Sequence, residues 1–327
     1  MSSEKKLLII HHGALGDVVL AFPAILRLRD GYGRIDAVCQ KKIGDIAHRL
    51  DLIDNGIDIE SSFLARIYND DPSDTQAADL LQRYDRIIVF SFSRQLENTL
   101  NHLAGNTTLR IPPRPGKHEK IDVSDYIVNC LAEQKLVGTA ETTRNLILKW
   151  RSEHAGCFKT TDPRKVIIHP GSGSRRKNWP FDYFLQTADF LKSHGLEVEF
   201  IFGPAEGYLS EALSEGLASR MRSHVTADLN AIWSLFTSAG FYLGNDSGLS
   251  HLAAFAGLPT VVIFGPSDPA RWAPVGRLVK VVIPDLDCRP CFEDRHSALD
   301  CRECLMQLRP ETVNAAMLEL IKRTATE

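Results

Sequence analysis

Apolar runs of strand length alternate with helix-length amphipathic stretches from one end of this chain to the other, and few folds satisfy such a pattern. Residues 7–10 (LLII) read as a buried strand, 18–29 as a helix, 35–39 as a strand, 43–50 as a helix, 86–90 as a strand and 124–136 as a helix. The rhythm loosens over 151–164, where Gly156, Thr160, Thr161 and Pro163 accumulate, so the interdomain linker is expected there. A second series follows, with strands at 165–169, 197–202, 241–243 and 260–264 and helices at 181–193, 206–219, 230–238 and 247–256. Strands that are apolar throughout and separated by helices imply parallel sheets covered on both faces. At 327 residues the chain exceeds one ordinary core. The expectation is an α/β protein with one domain over 1–155, a second over 165–309, and a terminal helix over 310–327 packing back across the cleft between them. In doubly wound halves, ligands sit at the carboxyl ends of the strands, here inside that cleft.

Composition narrows the partners. A net charge of −3 offers no basic excess to neutralise a nucleic-acid backbone, so nucleic acid is not expected. The apolar run at 7–10 is too short for a signal sequence or a membrane span, and no later run reaches the roughly 20 residues that spanning requires. A cytoplasmic protein is expected. Its seven cysteines do not suit a complete disulfide framework. Four cluster as Cys288-x-x-Cys291 and Cys301-x-x-Cys304, the pairing of a tetrahedral structural zinc site, although the nine-residue interval is short. Free thiols, a disulfide or an iron–sulfur centre remain open for them, while Cys39, Cys130 and Cys157 read as small buried hydrophobes.

Four loops carry chemistry, each at the carboxyl end of an expected strand. In Gly244-Asn-Asp246-Ser247-Gly248-Leu-Ser-His251, a glycine turn opens a helix whose first N–H groups and dipole suit a phosphate, with Asp246 and Ser247 at the cap. The same residues also serve as an ordinary cap. His11-His-Gly13-Ala-Leu-Gly16-Asp17 lacks the G-x-G-x-x-G of a dinucleotide fold, which speaks against NAD. Its Asp17 is either a general base for an acceptor hydroxyl or a carboxylate complementing a helix dipole. His169-Pro-Gly-Ser172-Gly173-Ser174-Arg-Arg-Lys177 combines small residues with three cations, without Walker A spacing; it is a phosphate loop or a solvated basic one. Glu206, after Gly203-Pro-Ala, is either an acceptor for ribose hydroxyls or a helix-start charge.

Taken together, Gly16-Asp17…Pro23, His169-Pro-Gly-Ser-Gly-Ser…Lys177-x-Trp179-Pro180 and Asp246-Ser-Gly-x-Ser-His251-Leu-Ala-Ala…Gly257-x-Pro259, followed by Phe264-Gly-Pro266, resemble glycosyltransferase family 9, the ADP-heptose:lipopolysaccharide heptosyltransferase family. Cys288-x-x-Cys291 and the late Cys304-Leu-Met are similar to a cysteine pattern in that family. The resemblance implies a GT-B fold of two facing Rossmann-like domains. It also implies an inverting, metal-independent transfer of a sugar, heptose by the family's name, from an ADP-sugar to a lipopolysaccharide core acceptor, with no cofactor for catalysis. By position, Asp17 is similar to the catalytic base, Lys177 to the cation stabilising the departing diphosphate and Glu206 to the ribose contact. Asp246, Ser247 and Gly248 match the donor-binding helix start, with His251 one turn on, and Ser172, Gly173 and Ser174 line the same donor site.

Arg110, Arg114, Lys117, His118 and Lys120 crowd a proline-rich loop in the first half, where Arg114 and Lys117 are candidates for an anionic acceptor at the inner-membrane surface; the alternative is a solvated loop. Two other readings compete for the whole chain. One is a nucleotide-sugar 2-epimerase-like enzyme, which forms product from donor alone. The other is a zinc-knuckle interaction protein with a degenerate cleft.

Overall fold

A computed structural model describes residues 5–61, 67, 75–105, 107–138, 141–155, 160–203, 206, 209, 221–286, 290–292 and 303–326. The chain divides into two compact units, Met1–Leu146 and Ile147–Glu327.

The first unit is built on β1 (Lys6–His11), β2 (Arg34–Cys39), β3 (Asn55–Asp58), β4 (Arg86–Phe90) and β5 (Thr108–Ile111). They form one sheet in the order β3-β2-β1-β4-β5, every neighbouring pair parallel. Its helices are α1 (Leu15–Leu28), α2 (Lys41–Arg49), α3 (Thr75–Leu81), α4 (Arg94–Ala104) and α5 (Val123–Glu133). Leu7 and Ile9 face one side of the sheet and Leu8 and Ile10 the other, and all four are buried. That two-sided burial is why β1 reads as an unbroken apolar run. Leu8, Ile10, Ile87 and Val89 pack with Leu81, Leu96 and Leu100 of α3 and α4.

The second unit opens within α6 (Thr143–Glu153). Its strands are β6 (Asp162–His169), β7 (Glu197–Phe202), β8 (Arg222–Val225), β9 (Ala239–Asn245), β10 (Thr260–Ile263) and β11 (Val279–Val282). The sheet order is β11-β10-β9-β6-β7-β8, again parallel throughout. The helices are α7 (Phe181–Ser193), α8 (Leu229–Ser238), α9 (Gly248–Ala256), α10 (Pro269–Trp272), α11 (Glu303–Gln307) and α12 (Pro310–Ala325). Val313, Met317 and Leu320 of α12 join the core formed by Val166, Ile168, Trp179, Phe184 and Phe200, so this helix packs on the sheet of its own unit, against α7, β10 and β11.

Both ends of the stretch expected to be a linker are regular structure. α6 continues to Glu153, because the Trp150 ring packs 5.0 Å from that of Phe255 and the Arg151 guanidinium reaches the Phe255 carbonyl at 3.4 Å. β6 starts at Asp162, three residues ahead of the expected strand, with a register shift between Asp162 and Val166. Pro163, which has no N–H for a ladder, lies at that shift, and its carbonyl fills the space beside Gly240 where any side chain would clash. The helix expected over 206–219 lies almost wholly outside the described residues.

Candidate active site

Each sheet has one point at which its strand order reverses: between β1 and β4 in the first unit, and between β6 and β9 in the second. Crevices open at such points because the two flanking connections leave on opposite faces. The loop carrying Asp17 follows β1, and the loops carrying Lys177 and Asp246 follow β6 and β9.

At the first switch point the chain turns tightly from β1 into α1. His11 is buried, and its Nδ1 accepts the Gly13 N–H at 3.1 Å, which puts the ring proton on Nε2. Desolvation, with His12 nearby, lowers its pKa to about 3, so it stays neutral. A side chain on Gly13 would collide with the His11 ring and the Asp17 Cβ, so glycine is what lets the turn close. Asp17 is half-buried at the third position of α1, where one carboxylate oxygen accepts the Ala14 N–H at 3.2 Å. It therefore occupies a cap position and retains acceptor capacity beyond it.

The second switch point is more elaborate. Asn245, fully buried at the end of β9, donates from Nδ2 to the Pro170 carbonyl at 2.7 Å and accepts the Trp179 N–H at Oδ1 at 3.0 Å. One side-chain amide thus ties both ends of the 170–179 loop to β9. Trp179, buried against Phe184, donates its indole N–H to the Leu308 carbonyl at 2.8 Å. Between those ties, Ser172 Oγ lies 2.6 Å from the Ser174 carbonyl and 2.5 Å from the Asn178 side-chain oxygen, and accepts the Ser174 N–H at 3.2 Å. The loop ends in a single 3-10 turn, Arg175–Lys177.

Lys177 Nζ lies 2.8 Å from Asp246 Oδ2, with the ammonium side chain 20% exposed and the carboxylate 5%. The charges are close enough for an ion pair, but Oδ2 makes no hydrogen bond of good geometry. Coulombic attraction needs no alignment, so the contact is an ion pair and not a directed hydrogen bond. The result is a cation held near its partner with donor directions left over for a ligand.

Ser247 caps α9, its Oγ accepting the Ser250 N–H at 3.4 Å and lying 3.5 Å from His169 Nδ1. Ser250 Oγ donates to the Asn245 carbonyl at 2.5 Å and sits 3.2 Å from the Tyr242 hydroxyl. Behind the cap, His169 and His251 are buried, and desolvation lowers both to a pKa of about 4; Asp246 raises that of His251 by a smaller amount. Two neutral imidazoles therefore back the helix start, and the cationic field there comes from Lys177 and the dipole of α9. Glu206 completes the group. Its Oε2 accepts the Gly203 N–H at 2.9 Å, and its carboxylate fills the space beside Gly171 and Gly203 that any side chain there would need. Loops after β6, β7 and β9 thus converge on one patch, bringing together Ser172, Lys177, Glu206, Asp246, Ser247 and His251.

The sequence gives no separate role to His169 or Asn245, which stand within the quoted motifs, and none to Phe292. Asn245 sits next to the recognised Asp246 and could have been found as the last buried polar residue of a strand. Phe292 had no such signal, because its place in the site depends on the fold of the cysteine-bearing loop. Of the four clustered cysteines, Cys288 and Cys301 lie outside the described residues. Cys304 is buried and Cys291 half-buried. Among the described residues, no group of three or more potential ligands is close enough to hold a metal. In the first unit Arg110 is paired with Glu97 at 3.0 Å, whereas Arg114 is exposed with its guanidinium 5.6 Å from the ring of Phe92, itself 59% exposed.

The architecture matches solved glycosyltransferases along its whole length. A glycosyltransferase family 9 structure from Veillonella parvula superposes with a TM-score of 0.74 at 18% identity, covering 99% of both chains. The E. coli ADP-heptose lipopolysaccharide heptosyltransferase II superposes with a TM-score of 0.71 at 16% identity, covering 98% of this chain and 99% of that one. Both define the fold as that of a two-sheet α/β glycosyltransferase. In sequence, the chain is 29% identical over 169 residues to lipooligosaccharide heptosyltransferase 2 of Campylobacter jejuni, and the match spans about half of each protein, 49% of this chain and 52% of the relative. The model of glycosyltransferase family 9 (heptosyltransferase) matches residues 119–301, more than half of the chain, and the chain belongs to that family.

Proposed function

We propose that this protein is an inverting glycosyltransferase that moves a heptose from an ADP-sugar to a lipopolysaccharide core acceptor. The observation that carries the reading is the patch at the second switch point: Lys177 paired with Asp246 at the start of α9, with Glu206 beside it. A nucleoside diphosphate needs those features, namely a cation and helix N–H groups for phosphate and a carboxylate for ribose hydroxyls. The donor class follows that of the E. coli structural relative, and the acceptor class that of the C. jejuni one.

In this mechanism Asp17 takes the proton of an acceptor hydroxyl, whose oxygen attacks the anomeric carbon from the face opposite the diphosphate. The carbon–oxygen bond to the diphosphate breaks and ADP leaves with that electron pair. Lys177 and the amino end of α9 stabilise the charge developing on the leaving group. Neither Asp17 nor Lys177 needs a metal to perform its role in this mechanism. The cluster Cys288, Cys291, Cys301 and Cys304 is assigned a structural part, as a zinc site or a covalently tied loop. Arg114 and Lys117, both exposed after β5, are assigned to the anionic acceptor, with Phe92 beside Arg114 offering an apolar contact. The same reading puts the enzyme in the cytoplasm, meeting its acceptor peripherally at the inner membrane; among the described residues no helix is long and apolar enough to cross a membrane.

The test is a screen of ADP-, UDP- and GDP-sugars for binding and then for transfer to a lipopolysaccharide core acceptor by the full-length protein. Acceptor-dependent release of ADP is the expected result. Conversion of donor without acceptor makes the protein an epimerase, and binding of no nucleotide sugar removes the enzymatic reading. Neutralising Arg114 and Lys117 together should raise the acceptor KM several-fold, leave the ADP-sugar KM unchanged and flatten the dependence of rate on salt. Equal acceptor kinetics at low ionic strength take this loop out of the acceptor site.

A further inference from the structure

Beyond β11 the chain returns to the turn that ends β10. The backbone N–H groups of Cys291 and Phe292 both donate to the Pro266 carbonyl, at 2.8 and 2.9 Å. Pinned there, Phe292 sets its ring 4.4 Å from Lys177 Nζ, centroid to nitrogen, and 5.4 Å from the Arg176 guanidinium carbon. The Lys177 ammonium thus has two kinds of neighbour: the Asp246 carboxylate at 2.8 Å and the face of an aromatic ring.

We propose that Phe292 is a positioning residue for the donor site, holding the ammonium of Lys177 at the start of α9 while its partner changes from the Asp246 carboxylate to the diphosphate of the bound sugar nucleotide. The inference rests on the donor-site reading above. A lysine head on a four-carbon stem is mobile, and fixing it costs rotamer freedom at every turnover. A ring face attracts the cation through its quadrupole without neutralising it, so the full charge stays available to an incoming anion. A second carboxylate in the same place would compete with the diphosphate for the same ammonium. An aliphatic side chain of similar bulk would fill the space but exert no such pull. The cysteine-bearing segment therefore contributes to the donor site through the residue that follows Cys291.

Phe292→Leu and Phe292→Tyr separate attraction from packing. Phe292 is half-buried, so both variants are expected to fold, which circular dichroism checks. Two readouts are needed. The first is acylation of Lys177 in the ligand-free protein by a limiting amine-reactive reagent, measured by peptide mass spectrometry. The second is steady-state transfer. With Leu, Lys177 should be labelled several-fold faster and kcat/KM for the ADP-sugar should fall by about tenfold, the scale of a partly desolvated cation–π contact, with the acceptor KM unchanged. Tyr should restore both. The proposal is overturned if Leu matches the parent in either readout, or if Tyr is as impaired as Leu, which would make the ring packing alone. If the unmodified protein binds no ADP-sugar, the donor-site reading fails, while labelling still reports whether the ring holds Lys177.

Discussion

Two residues distinguish acid–base chemistry from charge stabilisation at the proposed site. Asp17→Asn keeps an acceptor for the Ala14 N–H and so preserves the cap, but it removes a base. It should retain ADP binding and lose about 10²-fold or more in kcat. In the proposed mechanism Lys177→Ala deletes a cation that acts on bound and departing diphosphate alike, so both the ADP Kd and turnover should worsen. Calorimetry with steady-state rates checks both, and near-parental turnover by Asp17→Asn would end its assignment as base. The buried histidines make a separate prediction. His251 has a folded-state pKa of about 4, below the ordinary 6.5, so between those values the unfolded chain holds the extra proton. Stability should therefore be complete above about pH 6.5 and fall as pH drops toward 4, with a slope of at most about 1.4 kcal/mol per pH unit from this group. Denaturant unfolding across that window should show a shallower slope for His251→Asn, and an unchanged slope would mean that His251 does not carry the effect.

Among the elements, α9 is built asymmetrically. Its amino end carries the Ser247 cap and the proposed donor patch, and its carboxyl end closes on Gly257 at φ +80°, with the Arg151 guanidinium lying where a side chain on that glycine would project. A cation against the negative end of the helix is favourable and leaves the positive end for an anion. Gly257→Ala forces both a left-handed alanine and a clash with Arg151, and should cost about 1–3 kcal/mol. Gly138→Ala, which meets open space at an ordinary φ, should stay within about 0.5 kcal/mol. Chemical denaturation compares the two, and equal stabilities would refute the packing role of Gly257. Legibility also differed among elements for physical reasons. β1 and β7 after their first residue, and β6 from Val166 on, are buried on both faces and announce themselves by their apolar residues. β3 (NGID) and β8 (RSHV) form sheet edges, partly or fully open to solvent, and owe their strand character to pairing rather than composition. The loops bearing Asp17, Lys177, Glu206 and Asp246 were readable because glycines and cap residues mark a strand-to-helix turn. The tie from Asn245 to Pro170 and Trp179 was not readable, since it joins residues 66 to 75 positions apart.

For the whole molecule, the cysteine cluster defines a test independent of catalysis. If Cys288, Cys291, Cys301 and Cys304 hold a structural zinc, protein purified without a metal-affinity tag should contain close to one equivalent, and a chelator should lower the midpoint of unfolding. Less than about 0.1 equivalent together with freely titrating thiols would exclude both a metal and a covalent tie at this site. A different property follows from how the chain is partitioned. All four tryptophans, at 150, 179, 233 and 272, fall in the unit that begins at Ile147, and the other unit has none. Indole emission is therefore an optical probe of one half of this protein, blind to melting of the other, whereas far-ultraviolet dichroism records both. Trp179, buried two residues from Lys177, places one of those fluorophores beside the proposed nucleotide patch, so ligand titrations need no extrinsic dye.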